Sequence, residues 1–189
     1  SGNKNTGIGY QVGQQLQAGA SNTVVGYNAW SDSGTLVSNY NTIIGAEACN
    51  GDWQGNNSSS NVTVGAESMQ GDMNGANYNT GVGFRNLKDL VSGDNNVSIG
   101  HNSSLTLTNG SGNIAIGVNV MRDLDAGTDA SGSGENVFIG NYCAQGTWAA
   151  ADASTNVAIG SYAFSGAVNG VDNCVAIGGQ SLQGAMTTA

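Results

Sequence analysis

The sequence is poor in several residue types, and each shortage excludes something. It has no proline, one histidine and only four lysine plus arginine residues in 189 positions. Charged residues make up 9% of the chain, which argues against a segment kept disordered by self-repulsion. Thirteen acidic residues give a net charge of −9, so partnership with nucleic acid or with anionic lipid is not expected. No apolar run approaches the roughly 20 residues that cross a bilayer, and no membrane insertion is expected. The three cysteines form no CxxC pair and sit near no histidine cluster, so neither a metal site nor a cofactor is expected. The lack of proline has a positive side, because every residue past the first can donate an amide to a neighbouring strand.

Glycine is plentiful, with 31 residues, and it marks an internal repeat. Ten short segments end in glycine after a pair of branched residues, among them Asn22-Thr-Val-Val-Gly26, Asn41-Thr-Ile-Ile-Gly45, Asn96-Val-Ser-Ile-Gly100 and Asn156-Val-Ala-Ile-Gly160. The repeat glycines are Gly9, Gly26, Gly45, Gly65, Gly83, Gly100, Gly117, Gly140, Gly160 and Gly178, in steps of 17 to 23 residues. In the last unit Cys174 stands where the other nine have Asn. A unit of this length cannot bury an apolar face by itself and must stack. The expected fold is all-β: a parallel β-solenoid of ten coils forming a single repeat domain over residues 1–189. At about 4.8 Å per coil the nine steps give a rod on the order of 43 Å long. Since the chain opens at Ser1 and neither end shows a distinctive cap, it is expected to be a segment of a longer fibre.

Each column of the repeat has a physical reading. The residue before the glycine is Ile or Val in every unit, and the residue two before that is Thr, Val or Ile. Period-two spacing puts these two on one face of a short strand, read here as the coil's own core. Four residues after the glycine come Trp30, Met69, Leu87, Met121, Phe164 and Leu182, expected to close that core. The glycine suits a corner with positive φ or close backbone approach, and the Asn column suits a turn in which Asn bonds its own backbone. The middle strand residue is Gly7, Val24, Ile43, Thr63, Gly81, Ser98, Ala115, Phe138, Ala158 or Ala176. It would then point away from the core without being charged, and an uncharged outer face implies a second cover. This reading predicts a homo-oligomer, with a trimer favoured.

The segments Asn22-Thr-Val-Val-Gly-Tyr-Asn-Ala-Trp30 and Asn173-Cys-Val-Ala-Ile-Gly-Gly-Gln-Ser-Leu182 resemble the Asn-Thr-x-Val-Gly repeat arrays of bacteriophage tail and virion fibres. They are also similar to the head repeats of YadA-like trimeric autotransporter adhesins, although the spacing here is longer and less regular. The resemblance spans nearly the entire chain. It implies a trimeric β-roll or β-helix used as a shaft or adhesive head. The function so implied is a structural and adhesive phage fibre protein, located in the virion, that attaches to a host surface glycan or protein. The alternative is a bacterial surface adhesin or extracellular filament subunit. A tailspike polysaccharide depolymerase comes third, and the chain is not read as an enzyme.

Candidate chemistry is sparse. Trp53 and Trp148 lie outside the repeat columns, in the longer insertions; they either serve as receptor contacts, because aromatic faces stack on sugars and anchor interfaces, or cover the open side of a coil. Glu47 and Glu67 fall two residues after the glycine in successive coils, with Arg85 next in that column. Carboxylates about 5 Å apart would suit a retaining glycosidase, whereas solvent-facing carboxylates would carry no chemistry. His101 is the single histidine, so any nucleophile–His triad would have to run through it. Loop aspartates, Asp52 and Asp72 together with Asp123, Asp125 and Asp129, could offer oxygen ligands to calcium, or simply face water. The Thr column of Thr6, Thr23, Thr42 and Thr80 has the look of an ice-binding face but is interrupted by Val62. Cys49, Cys143 and Cys174 occupy three different columns and are expected as buried free thiols rather than disulfides.

Overall fold

The structure is a computed structural model that describes residues 3–14, 16, 18–31, 37–53, 55–122, 133–146, 152–166, 168–184 and 186–187. The described residues are all-β. The first nine strands are β1 (Thr6–Tyr10), β2 (Thr23–Tyr27), β3 (Thr42–Ile44), β4 (Val62–Val64), β5 (Thr80–Val82), β6 (Val97–Ile99), β7 (Ile114–Ile116), β8 (Val137–Ile139) and β9 (Val157–Ile159). Three more follow: β10 (Val168–Asn169), β11 (Val175–Ile177) and β12 (Met186–Thr187). Strands β1 to β9 and then β11 form one ten-stranded parallel sheet in chain order, while β10 and β12 pair in a second, two-stranded parallel sheet. The register is that of the repeat: Thr23 opposes Thr42, Val24 opposes Ile43 and Val25 opposes Ile44. This is a β-solenoid with one repeat unit per coil, and the coils are numbered below from one to ten.

The core is not where the strand pattern placed it. The middle residue points inward: Val24, Ile43, Thr63, Ser98, Ala115, Phe138, Ala158 and Ala176 are all buried. The flanking β-branched residues point out, with Ile44, Ile99 and Ile159 each 38–39% exposed even though coils lie on both sides. The expectation that the Ile/Val columns fill the coil is therefore corrected. A three-residue strand in a narrow coil sends one side chain inside, and that position shares its parity with the Asn column and the glycine, both of which need the interior. Opposite the strand, Trp30, Met69, Leu87, Met121 and Phe164 are fully buried as expected, while Leu182 in the last coil is exposed.

The Asn column is a continuous buried ladder rather than a set of local turns. Each Asn side-chain oxygen accepts the backbone N–H of the Asn one coil on, as from Asn41 to Asn22 (2.8 Å), Asn61 to Asn41 (2.9 Å) and Asn156 to Asn136 (3.0 Å). In most coils it also accepts that residue's Nδ2–H. Each Nδ2 then donates to a main-chain carbonyl of the loop leading into the next strand, such as Ala76 or Gly93. It is the residue before the Asn that is left-handed, for example Tyr40 (φ 59°) and Tyr78 (φ 60°).

At the corner both properties expected of the glycine are in force. Gly65 has φ 147° and Gly83 has φ 132°, and a Cβ on either would lie closer than 3.0 Å to the carbonyl of the repeat glycine in the next coil. Beyond the corner, the second and fourth residues are left-handed in every coil, including bulky ones such as Trp30 (φ 47°) and Leu87 (φ 49°). Left-handed geometry in such residues costs about 1–2 kcal/mol each. Coil-to-coil hydrogen bonds that continue through the turn offset it, such as Trp30 N–H to Ala48 (2.9 Å) and Met69 N–H to Asn86 (3.0 Å).

Candidate binding surfaces

With the strand parity reversed, the outward face of the ten-stranded sheet becomes the leading surface. Its two columns are β-branched throughout: Thr6/Ile8, Thr23/Val25 and Thr42/Ile44 at one end, Val137/Ile139, Val157/Ile159 and Val175/Ile177 at the other. Threonine occurs only in the first five coils; from Val97 onward the face is wholly aliphatic. The strip is about 43 Å long and roughly 10 Å wide, on the order of 400 Å², comparable to the largest apolar patch of an ordinary monomer, which is often functional. No charged side chain interrupts it.

The corner column just after the glycine carries a second set of exposed groups. Tyr10 and Tyr27 stack with ring centroids 5.5 Å apart, and Phe84 stacks on His101 at 5.6 Å. One residue further on, Tyr142 and Tyr162 stack at 4.9 Å. His101 is thus an exposed ring stacked on an aromatic neighbour.

Trp53 is not a surface anchor. It is fully buried, its ring 5.0 Å from that of Trp30, so of its two readings the receptor contact is corrected and the covering of the coil holds. Cys49, at the fourth position of that coil, is buried in the same core cluster. The signal was present: seven or eight residues after the repeat glycine stand Leu16, Trp53, Met73, Leu90 and Leu107, an apolar column that belongs to the core. Trp148 lies outside the described residues, as do Asp123, Asp125 and Asp129.

Arg85 Nε donates to Glu67 Oε2 at 2.6 Å, and its guanidinium lies 4.8 Å from the Phe84 ring centre. Arg85 therefore engages one of the two carboxylates that a retaining mechanism would need. Asp52 and Asp72 line an open depression of about 280 Å³ with Asn74 and Val91, and one Asp72 oxygen accepts the Asp52 N–H at 2.9 Å. Cys49 and Cys143 are buried free thiols and Cys174 is half-buried. Burial pushes the Cys49 thiol up to about 12, partly countered by the Thr63 hydroxyl. Burial likewise pushes Cys143 up to about 11 against two backbone hydrogen bonds.

No protein-family model, no curated protein and no solved structure matches the chain.

Proposed function

We propose that the chain is a structural and adhesive segment of a bacteriophage fibre, assembled as a homotrimer and used to attach to a host surface. The observation that carries this reading is the uncharged outward strip of β-branched residues, all Val and Ile from Val97 onward, on a rod whose backbone hydrogen bonds run from coil to coil. A solvated solenoid has no use for such a strip, whereas three copies packed about a common axis bury it along the full length of each subunit. The rod then gains stiffness from two sources, the in-register parallel sheet and mutual subunit burial.

Sedimentation analysis at micromolar concentration is the direct test. A species near three times 18.9 kDa supports the trimer, and a clean monomer removes it. Mass spectrometry of purified virions then assigns location: recovery there supports the fibre, and recovery from a bacterial cell surface assigns the chain to an adhesin instead.

A further inference from the structure

We infer that the corner of coils two to five carries a saccharide-binding site, in which an uncharged pyranose ring stacks on the free face of Tyr27 between Glu47 and Arg85. The inference rests on the adhesive reading above and names its ligand class. Along the corner column the residues run Tyr10, Tyr27, Ala46, Ala66, Phe84 and His101. Tyr10 covers one face of the Tyr27 ring, with an interplanar angle of 10°. The other face looks along the rod toward coil three, where the next two residues in the column are alanines. Tyr27 itself is 52% exposed. Three coil steps separate Tyr27 from Phe84, so the alanines floor a slot about 14 Å long.

Arg85 supplies the far wall of this slot. Its guanidinium sits against Phe84 and bonds Glu67 in coil four, while His101 stacks on Phe84 from coil six. The guanidinium therefore occupies the slot side of that ring. Glu47 follows Ala46 in the column that holds Glu67 and Arg85, and its N–H bonds the Tyr27 carbonyl at 2.8 Å, which ties it to the coil that carries the tyrosine. An aromatic face for the apolar side of a sugar, a carboxylate to accept hydroxyl hydrogens and a guanidinium to donate are the groups that hold a pyranose. Because the Tyr pair and the Arg85–Glu67 pair are already ordered, binding sacrifices little side-chain freedom.

Among the other aromatic side chains, Trp30, Trp53, Phe138 and Phe164 are buried, and Phe84 lies between His101 and the Arg85 guanidinium. Charge selects the sugar type: two carboxylates against one guanidinium, in a chain of net charge −9, disfavour sialic and uronic acids.

The experiment is a glycan array carrying neutral gluco-, manno- and galacto-oligosaccharides beside sialylated ones, followed by calorimetric titration of the best ligand. Binding to neutral glycans is expected, falling about tenfold or more in Tyr27→Ala and less than about threefold in Tyr27→Phe. Tyr27→Ala should leave the solution mass unchanged. Neutral-glycan binding that survives Tyr27→Ala, binding confined to sialylated glycans, or no glycan binding would each overturn the site. Adhesion of the wild-type protein to a panel of bacterial cells separates these failures from failure of the adhesive reading, since cells can be held through another surface.

Discussion

The side-chain oxygen of Asn61 accepts two hydrogen bonds from Asn79 in the next coil, one from the backbone N–H at 2.9 Å and one from Nδ2 at 3.1 Å. Asn79 in turn passes the same pattern to Asn96 and donates to the Gly93 carbonyl at 2.8 Å. All three asparagines are buried. Asn79→Ala strips the acceptor from the Asn96 amide and the donor from Gly93, leaving buried groups unpaired at about 1–3 kcal/mol each. The expected loss is about 3 kcal/mol in denaturant unfolding. Asn5→Ala, at the exposed first coil, should cost distinctly less. Equal costs at the two positions would mean that the ladder is not cooperative along the rod.

The ladder stops at Cys174, whose N–H still reaches the Asn156 oxygen at 2.9 Å but whose thiol cannot replace the amide donor. Cys174→Asn restores one Nδ2 donor toward Asn156 and should stabilise the chain by about 1 kcal/mol. A thermal melt showing no gain would indicate that the last coil is frayed from its neighbour.

The repeat glycines separate two costs that are usually confounded. At Gly83 (φ 132°) a methyl group meets the Gly100 carbonyl closer than 3.0 Å; at Gly178 (φ 118°) nothing lies within 4 Å. Gly178→Ala therefore pays backbone strain alone, about 1–3 kcal/mol. Gly83→Ala adds a clash between stacked main chains and should exceed the roughly 4–5 kcal/mol that marks exceptional substitutions. Urea titrations of both variants give the difference directly, and similar midpoints would contradict the close stacking at Gly83.

Much of this architecture was legible from residues alone. The ten glycines, the parallel pairing and the closing role of Trp30, Met69, Leu87, Met121 and Phe164 follow from spacing and residue type. What failed was parity. Hydrophobicity assigns Ile44 and Ile99 to the inside and Ser98 or Ala158 to the outside, because residues are judged by apolar area. In a coil this narrow the interior is limited by volume, and Asn and Gly already demand the inward positions. Reading Asn as a turn former concealed its side chain as an interior hydrogen-bonding group, and with it the correct face. Trp53 stayed between two readings for a related reason. Its column shifts by one residue between coils, so a fixed offset from the glycine does not reveal it.

Parity makes the oligomer testable by paired substitutions on one strand. Ile116 faces outward and Ala115 is buried. Ile116→Asp, combined with Ile99→Asp, should leave the circular dichroism of the subunit intact while converting the proposed trimer to monomer in sedimentation. Ala115→Asp should instead destabilise the coil itself by about 3 kcal/mol or more, since it buries a carboxylate with no partner. If the outward pair unfolds the chain and the inward change is tolerated, the assignment of faces is reversed.

The cysteines provide a chemical and a pH readout. Cys49 and Cys143 are buried with thiol pKa values raised to about 12 and about 11, whereas Cys174 is partly accessible. At pH 8 a disulfide reagent should label one of the three thiols quickly and the other two only after unfolding. The stability consequence has a definite sign. The folded state holds the Cys49 proton more tightly than the unfolded chain, whose thiol titrates near 9.0. Stability from this group is therefore complete below about pH 9 and declines as pH rises toward 12, by about 1.4 kcal/mol per pH unit for a thiol still protonated in the fold. Cys49→Ala removes that alkaline slope but leaves a small cavity in the core, so its melting temperature should be lower near neutrality and less sensitive to pH above 9. An unchanged slope in Cys49→Ala would place the alkaline transition on another group.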